Sequence, residues 1–106
     1  MLSINADTPV LCRVVENRSA DVAHFALRIE APRGTVGQYS LVVRKSDLTG
    51  TATMQQGGVF NLSVRDTGEV GNVIISVRPD GHLTVDGSVQ VKGRNISCAY
   101  ISTQDL

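Results

Sequence analysis

Tryptophan is absent from this 106-residue chain, and only Phe25, Phe60, Tyr39 and Tyr100 are aromatic. That scarcity excludes an aromatic platform on which sugars or bases would stack. No excess of either charge is present: 10 basic residues balance 10 acidic ones, which excludes a nucleic-acid surface or a strongly basic membrane patch. No apolar run approaches the roughly 20 residues needed to cross a bilayer, so membrane insertion is not expected. Lysine is scarce as well, since Lys45 and Lys92 stand against eight arginines. Arginine is the better residue for planar or stacked contacts with a partner, although a GC-rich genome gives the same bias.

The residues that carry chemistry are equally thin. A hydrolase needs a nucleophile with a base in reach, and His24 and His82 lie in no motif such as G-x-S-x-G. The glycines of Gly34-Thr-Val-Gly37 and Gly57-Gly58 precede strand patterns rather than helices, so they read as turns, not phosphate loops. Acidic residues are scattered, and no dense oxygen-ligand set for calcium is visible. Cys12 and Cys98 form no C-x-x-C pair and share no metal-ligand spacing with the histidines. The expectation is a protein that is not an enzyme and carries no cofactor.

What is present is alternation. Apolar residues recur with a period of two, and no stretch keeps a helical period over three turns. Strands are expected near 10–16, 22–31, 37–45, 51–56, 59–65, 72–78, in a hairpin over 83–91 and near 95–101. The inward sets are Val10, Cys12 and Val14; Ala23, Phe25, Leu27 and Ile29; Tyr39, Leu41 and Val43; Phe60, Leu62 and Val64; Val73, Ile75 and Val77. His24, Ala26, Arg28 and Glu30 take the other face of their strand. Asn17–Asp21, Ala31–Gly34, Pro79–Gly81 and Lys92–Asn95 read as turns, and Lys45–Gly50 and Asp66–Gly71 as loops. The hairpin rests on Asp86-Gly87, a pair that accepts the positive φ of a type I′ turn. The polar strand at 51–56 suits a sheet edge.

Seven to nine short strands spaced by Gly/Pro/Asp turns predict an all-β fold, an antiparallel immunoglobulin-like β-sandwich, with a small barrel as the alternative. One domain over 10–101 is expected, with a polar leader at 1–9 and a polar tail at 102–106. Three N-x-S sequons begin at Asn17, Asn61 and Asn95 and are glycan sites only in a eukaryotic secreted protein.

Cys12 shares a face with Val10 and Val14, and Cys98 with Ile96 and Tyr100. Both thiols are therefore directed at a core, either as free apolar residues or as a disulfide between the terminal strands. We read a structural disulfide. It would close a loop of roughly 85 residues and stabilise by about 4–5 kcal/mol in the chain-entropy model. A disulfide also places the chain in an oxidising compartment. The start Met1-Leu-Ser-Ile-Asn5 has no charged leader or apolar h-region, which suits a cytosolic chain. The cysteines suit a mature form whose signal peptide gave way to a start Met, and that second reading is the one expected. On the outward faces, Arg13, Arg28 and Arg44 lie among Leu11, Val15 and Val42. If those strands are neighbours, they make one basic-apolar face for an extended acidic or amide-rich peptide.

Several segments resemble the CsgH-like proteins of curli systems. These are Cys12, the strand Gly37-Gln-Tyr39-Ser-Leu41-Val-Val43, Thr49-Gly-Thr-Ala-Thr53, Gln55-Gln-Gly57-Gly-Val-Phe60 and Cys98. The resemblance spans residues 10 to 100, and its motifs are structural rather than catalytic. It implies a periplasmic, monomeric immunoglobulin-like sandwich that keeps the unfolded curli amyloid subunit from polymerising before export, a role similar to that of CsgC. CsgC carries a C-x-C pair on one strand; this sequence does not, so no redox role follows. Client contact then falls to Arg13, Arg28, Arg44 and Val42, with sheet edges too short or polar to template a fibril. A secreted immunoglobulin-like adhesion or structural module is the competing reading.

Overall fold

Alternating apolar residues pair up into seven antiparallel strands in the computed structural model, which describes residues 10–62 and 66–100. The strands are β1 (Leu11–Ser19), β2 (Val22–Glu30), β3 (Val36–Asp47), β4 (Gly50–Asn61), β5 (Thr67–Ser76), β6 (His82–Val91) and β7 (Arg94–Ser97). They form a three-stranded sheet, β1-β2-β5, and a four-stranded sheet, β4-β3-β6-β7. Each sheet buries one face against the other, as the period of two requires. Ala23, Phe25, Leu27 and Ile29 of β2 meet Leu41 and Val43 of β3 in a core where all six are fully buried. This is the expected immunoglobulin-like sandwich. The described residues contain no helix long and apolar enough to cross a membrane. Expectations for 1–9, 102–106, Ile101 and Val64 lie outside the described residues.

The terminal strands are clasped as the cysteines foretold. Cys12 and Cys98 form a disulfide with Cα atoms 4.5 Å apart and a sequence separation of 86. Beside it the chain leaves the four-stranded sheet and bridges in parallel to β1: Val14 N donates to Ala99 O at 2.8 Å, and Ala99 N to Cys12 O at 3.0 Å. Tyr100 then turns inward, its ring edge-on to Phe25 with centroids 6.3 Å apart. Its hydroxyl donates to Glu16 Oε1 at 2.6 Å, while Arg18 pairs with the other oxygen of the same carboxylate. One side of the sandwich is thus sealed by covalent, backbone and side-chain contacts together.

Four expectations are corrected. Asp86-Gly87 does not turn; both residues lie in the middle of β6, paired with Val42 and Leu41. Glycine is needed at 87 for close sheet approach, because a Cβ there would stand 2.7 Å from Leu27 Cδ2 and 3.3 Å from Cys98 Cβ. The two-residue hairpin turn is Lys92-Gly93, where both residues have positive φ (51° and 77°) and join Val91 to Arg94. Secondly, the strands expected at 51–56 and 59–65 are one strand, β4. Gly57 and Gly58 pair with Ser40 and Tyr39 instead of breaking it. The Tyr39 ring fills the space above Gly58, its Cε1 lying 3.1 Å from where a Cβ would be. Thirdly, β5 begins at Thr67 within the expected loop, because a bulge places Gly71 and Asn72 opposite Ala26. Ala26, expected outward, is buried beside that bulge. Fourthly, β1 continues through the expected turn at Asn17 to Ser19, leaving Ala20-Asp21 to reverse the chain.

The edge reading for 51–56 is right in position, since β4 is the outer strand of its sheet. It is wrong in extent: the edge runs twelve residues, which is not short.

Candidate functional site

Pairing register decides which outward residues meet. On the outer face of the three-stranded sheet, Arg13 of β1 is directly opposite Arg28 of β2, and Arg28 is opposite Glu69 of β5. The next row is Leu11, Glu30 and Thr67, with Leu11 55% exposed. A third row starts with Val15 beside Ala26. Arg28 Nε lies 3.7 Å from Glu30 Oε2, both side chains nearly half exposed. Arg13 has no ion-pair partner among the described residues. A cleft of about 370 Å³ opens along this row, lined by Arg13, Val15, Arg28, Glu69 and Ala99 among others. A second, of about 630 Å³, continues past Leu11 and Glu30 to Pro32, Arg33 and Asp66. This sheet therefore offers a mixed basic, acidic and apolar strip, with the guanidinium of Arg13 at its β1 end unpaired among the described residues.

Arg44 and Val42 are not part of that strip. Both lie on β3, in the other sheet, with Val42 opposite Asp86 and Gln55, and Arg44 opposite Thr84 and Thr53. They project from the far side of the sandwich. Arg44 Nη1 reaches Asp86 Oδ2 at 3.4 Å with both groups exposed, an arrangement worth little in solvent. The single face expected from Arg13, Arg28 and Arg44 thus splits into two. The strand pattern was sound, but the pattern of one strand cannot say which sheet that strand joins.

Neither histidine is hydrogen-bonded to a nucleophile among the described residues, although His82 lies opposite Ser46 of β3. His24 Nε2 is 2.5 Å from Asn72 Oδ1, and His82 is exposed at the start of β6. No group of three or more His, Cys, Asp or Glu able to hold a metal occurs among the described residues. Among the described residues, the proton affinity of Asp47, at the β3–β4 turn, departs from its ordinary value. Its Oδ1 accepts from the Thr49 hydroxyl at 2.5 Å and from the Thr49 amide at 2.8 Å. These bonds hold the carboxyl below its ordinary value, against partial burial, with Lys45 and Arg78 adding in the same direction. That is turn architecture rather than catalysis.

Two features of this surface escaped the sequence. The bridge from Arg13 to Ala99 is too short to have a periodicity. The length of the β4 edge was hidden by Gly57-Gly58, which read as punctuation.

By architecture the chain is an immunoglobulin-like sandwich with a disulfide between its terminal segments. No protein-family model and no curated protein matches it. Two solved structures do. The solution structure of Rhodopseudomonas palustris CsgH is 27% identical, with a TM-score of 0.68 over 85% of this chain and 89% of that one. The Escherichia coli curli protein CsgC superposes with a TM-score of 0.69 over 84% of this chain and 95% of that one, at 9% identity, which is likeness of fold alone. The resemblance to CsgH-like proteins carried by residues 10–100 is borne out over nearly the whole fold.

Proposed function

We propose that this chain acts in curli assembly as a periplasmic, chaperone-like inhibitor, binding the unfolded amyloid subunit transiently and delaying its polymerisation. The observation that carries the reading is the likeness to CsgH across 85% of the chain. The sandwich then supplies a surface on which to act. Arg13, without an ion-pair partner among the described residues and flanked by Leu11, Val15 and Arg28, attracts acidic and amide groups of an extended chain while the apolar neighbours contact its side chains. Contacts of this kind are individually weak, so each molecule releases one client and meets the next. The disulfide fits an oxidising compartment such as the periplasm.

Thioflavin fluorescence of a purified curli subunit tests this directly. A lengthened lag at substoichiometric protein is expected; an unchanged lag rejects the proposal. Stable one-to-one binding to a receptor without effect on the lag would instead mark an adhesion module.

A further inference from the structure

The two sides of the sandwich are finished differently. One is closed by the Cys12–Cys98 bridge and the parallel contact of Ala99 with β1. On the other, β5 and β4 are each the last strand of their sheet. The β5 edge is capped by side chains from the opposite sheet: Gln56 Oε1 accepts from Asn72 N, and Lys45 Nζ donates to Ser76 O at 2.9 Å. The β4 edge has no such caps among the described residues.

Its free groups can be assigned. Leu62 N donates to Thr35 O at 2.9 Å, continuing the unbroken β3–β4 register from Asp47–Gly50 to Val36–Asn61. Antiparallel bonding alternates along a strand, so even-numbered residues of β4 bond inward to β3. The backbone groups of Thr51, Thr53, Gln55, Gly57 and Val59 face away. Natural edges are usually blunted by lysine, proline or a bulge. Gly50–Asn61 has no charged residue and no proline, and its register shows no bulge. Met54 and Val59, 42% and 68% exposed, stand on opposite faces of it.

We infer that the outer edge of β4 is a strand-addition site for an uncharged, β-prone extended segment of an unfolded amyloid-forming chain. The inference rests on the function proposed above and adds to the Arg13 strip a second surface, one that grips an uncharged segment of the same client. An uncharged occupant follows from the edge itself, because a charged side chain laid along β4 finds no opposite charge in its twelve residues. An apolar side chain finds Met54 on one face and Val59 on the other, while Thr51, Thr53 and Gln55 offer hydroxyl and amide groups for cross-strand pairing. Low charge and high strand propensity are also the marks of segments that build amyloid. Backbone hydrogen bonds supply the grip in this mode of recognition. The side-chain-free stretch at Gly57-Gly58 specifies register weakly, so the added strand is released rather than locked.

The test is amide hydrogen exchange of Thr51, Thr53 and Gln55, followed by NMR with and without monomeric curli subunit. At nine-tenths occupancy their exchange should slow by about tenfold. Gln55→Pro removes a donor that points away from β3, and Thr53→Lys adds a charge at the edge. Each should need about tenfold more protein than wild type to give the same fibril lag, at unchanged melting temperature. A lengthened lag with unchanged exchange would overturn the edge site and leave the inhibitor function standing. No effect on either would remove both. Protection that appears without subunit and grows with protein concentration would make β4 a contact between two copies of this chain, and would also overturn the inference.

Discussion

Arg13 and Arg28 occupy directly opposed positions on neighbouring strands, so two guanidinium groups leave the same face of the sheet side by side. Like charges opposed in this way weaken a strand pair by up to about 1 kcal/mol. Glu30 offsets the charge of Arg28 at 3.7 Å, and no carboxylate among the described residues pairs with Arg13. The client contact proposed for Arg13 gives this costly pairing a use.

The variant Arg13→Ala should therefore separate stability from function. Its unfolding free energy in urea should equal that of wild type or exceed it by about 0.5 kcal/mol, while its power to delay fibrils falls. Arg44→Ala, on the opposite face and tied only to exposed Asp86, should leave both unchanged. Equal loss of inhibition by both variants would show that net charge, not this strip, attracts the client. Raising salt from 0.05 to 0.5 M (both approximate) should weaken the wild-type effect, because exposed charges are screened within a few ångströms at such strength.

The disulfide closes most of the chain into a loop of 86 residues. Reduction, or Cys12→Ser with Cys98→Ser, should cost about 3–5 kcal/mol, read as a lower midpoint in urea with and without reductant. The Ala99 bridge to β1 and the Tyr100–Phe25 contact remain available to the reduced chain. A folded but weaker protein is thus expected; equal midpoints would show that those contacts alone close this side.

The inward faces of β2, β3 and β5 were legible from alternation, because residues that share a face in a strand share it whatever the strand pairs with. The two terminal cysteines were legible for the same reason. What failed was punctuation. Asp86-Gly87 and Gly57-Gly58 look like turns in one dimension, yet one permits the sheets to approach at Leu27 and the other seats Tyr39. Lys92-Gly93, the actual positive-φ turn, lies within the turn legible at Lys92–Asn95. Turn chemistry and close packing both select glycine, and only tertiary contact tells them apart. The splitting of Arg44 from Arg13 and Arg28 has a related cause, since sheet membership is a long-range property.

Gly87→Ala gives that distinction a measurable form. A methyl at 87 would sit 2.7 Å from Leu27 Cδ2 and 3.3 Å from both Val14 Cγ2 and Cys98 Cβ, where the core has no slack. Overpacking of this kind costs about 1–3 kcal/mol, seen as a lower urea midpoint at unchanged slope. Gly93→Ala meets nothing within 4 Å but must hold φ near 77°, and it should cost about 1 kcal/mol through the backbone alone. Relieving Leu27 by Leu27→Val should recover part of the first loss and none of the second.

Asp47 sets a pH dependence whose sign follows from its bonds. The Thr49 hydroxyl and amide donate to its ionised form and hold its folded value below the ordinary 3.8. A carboxyl depressed by folding binds protons less readily in the native state, so it contributes stability above its unfolded value and loses it as pH falls through the folded one. Asp47→Asn keeps an oxygen for Thr49 but removes the charge. The stability gap between wild type and variant should be full near neutral pH and should narrow progressively below about pH 4. Urea midpoints of both proteins across that range measure it. A gap that stays constant with pH would mean that Thr49 bonds to the neutral and charged groups equally well.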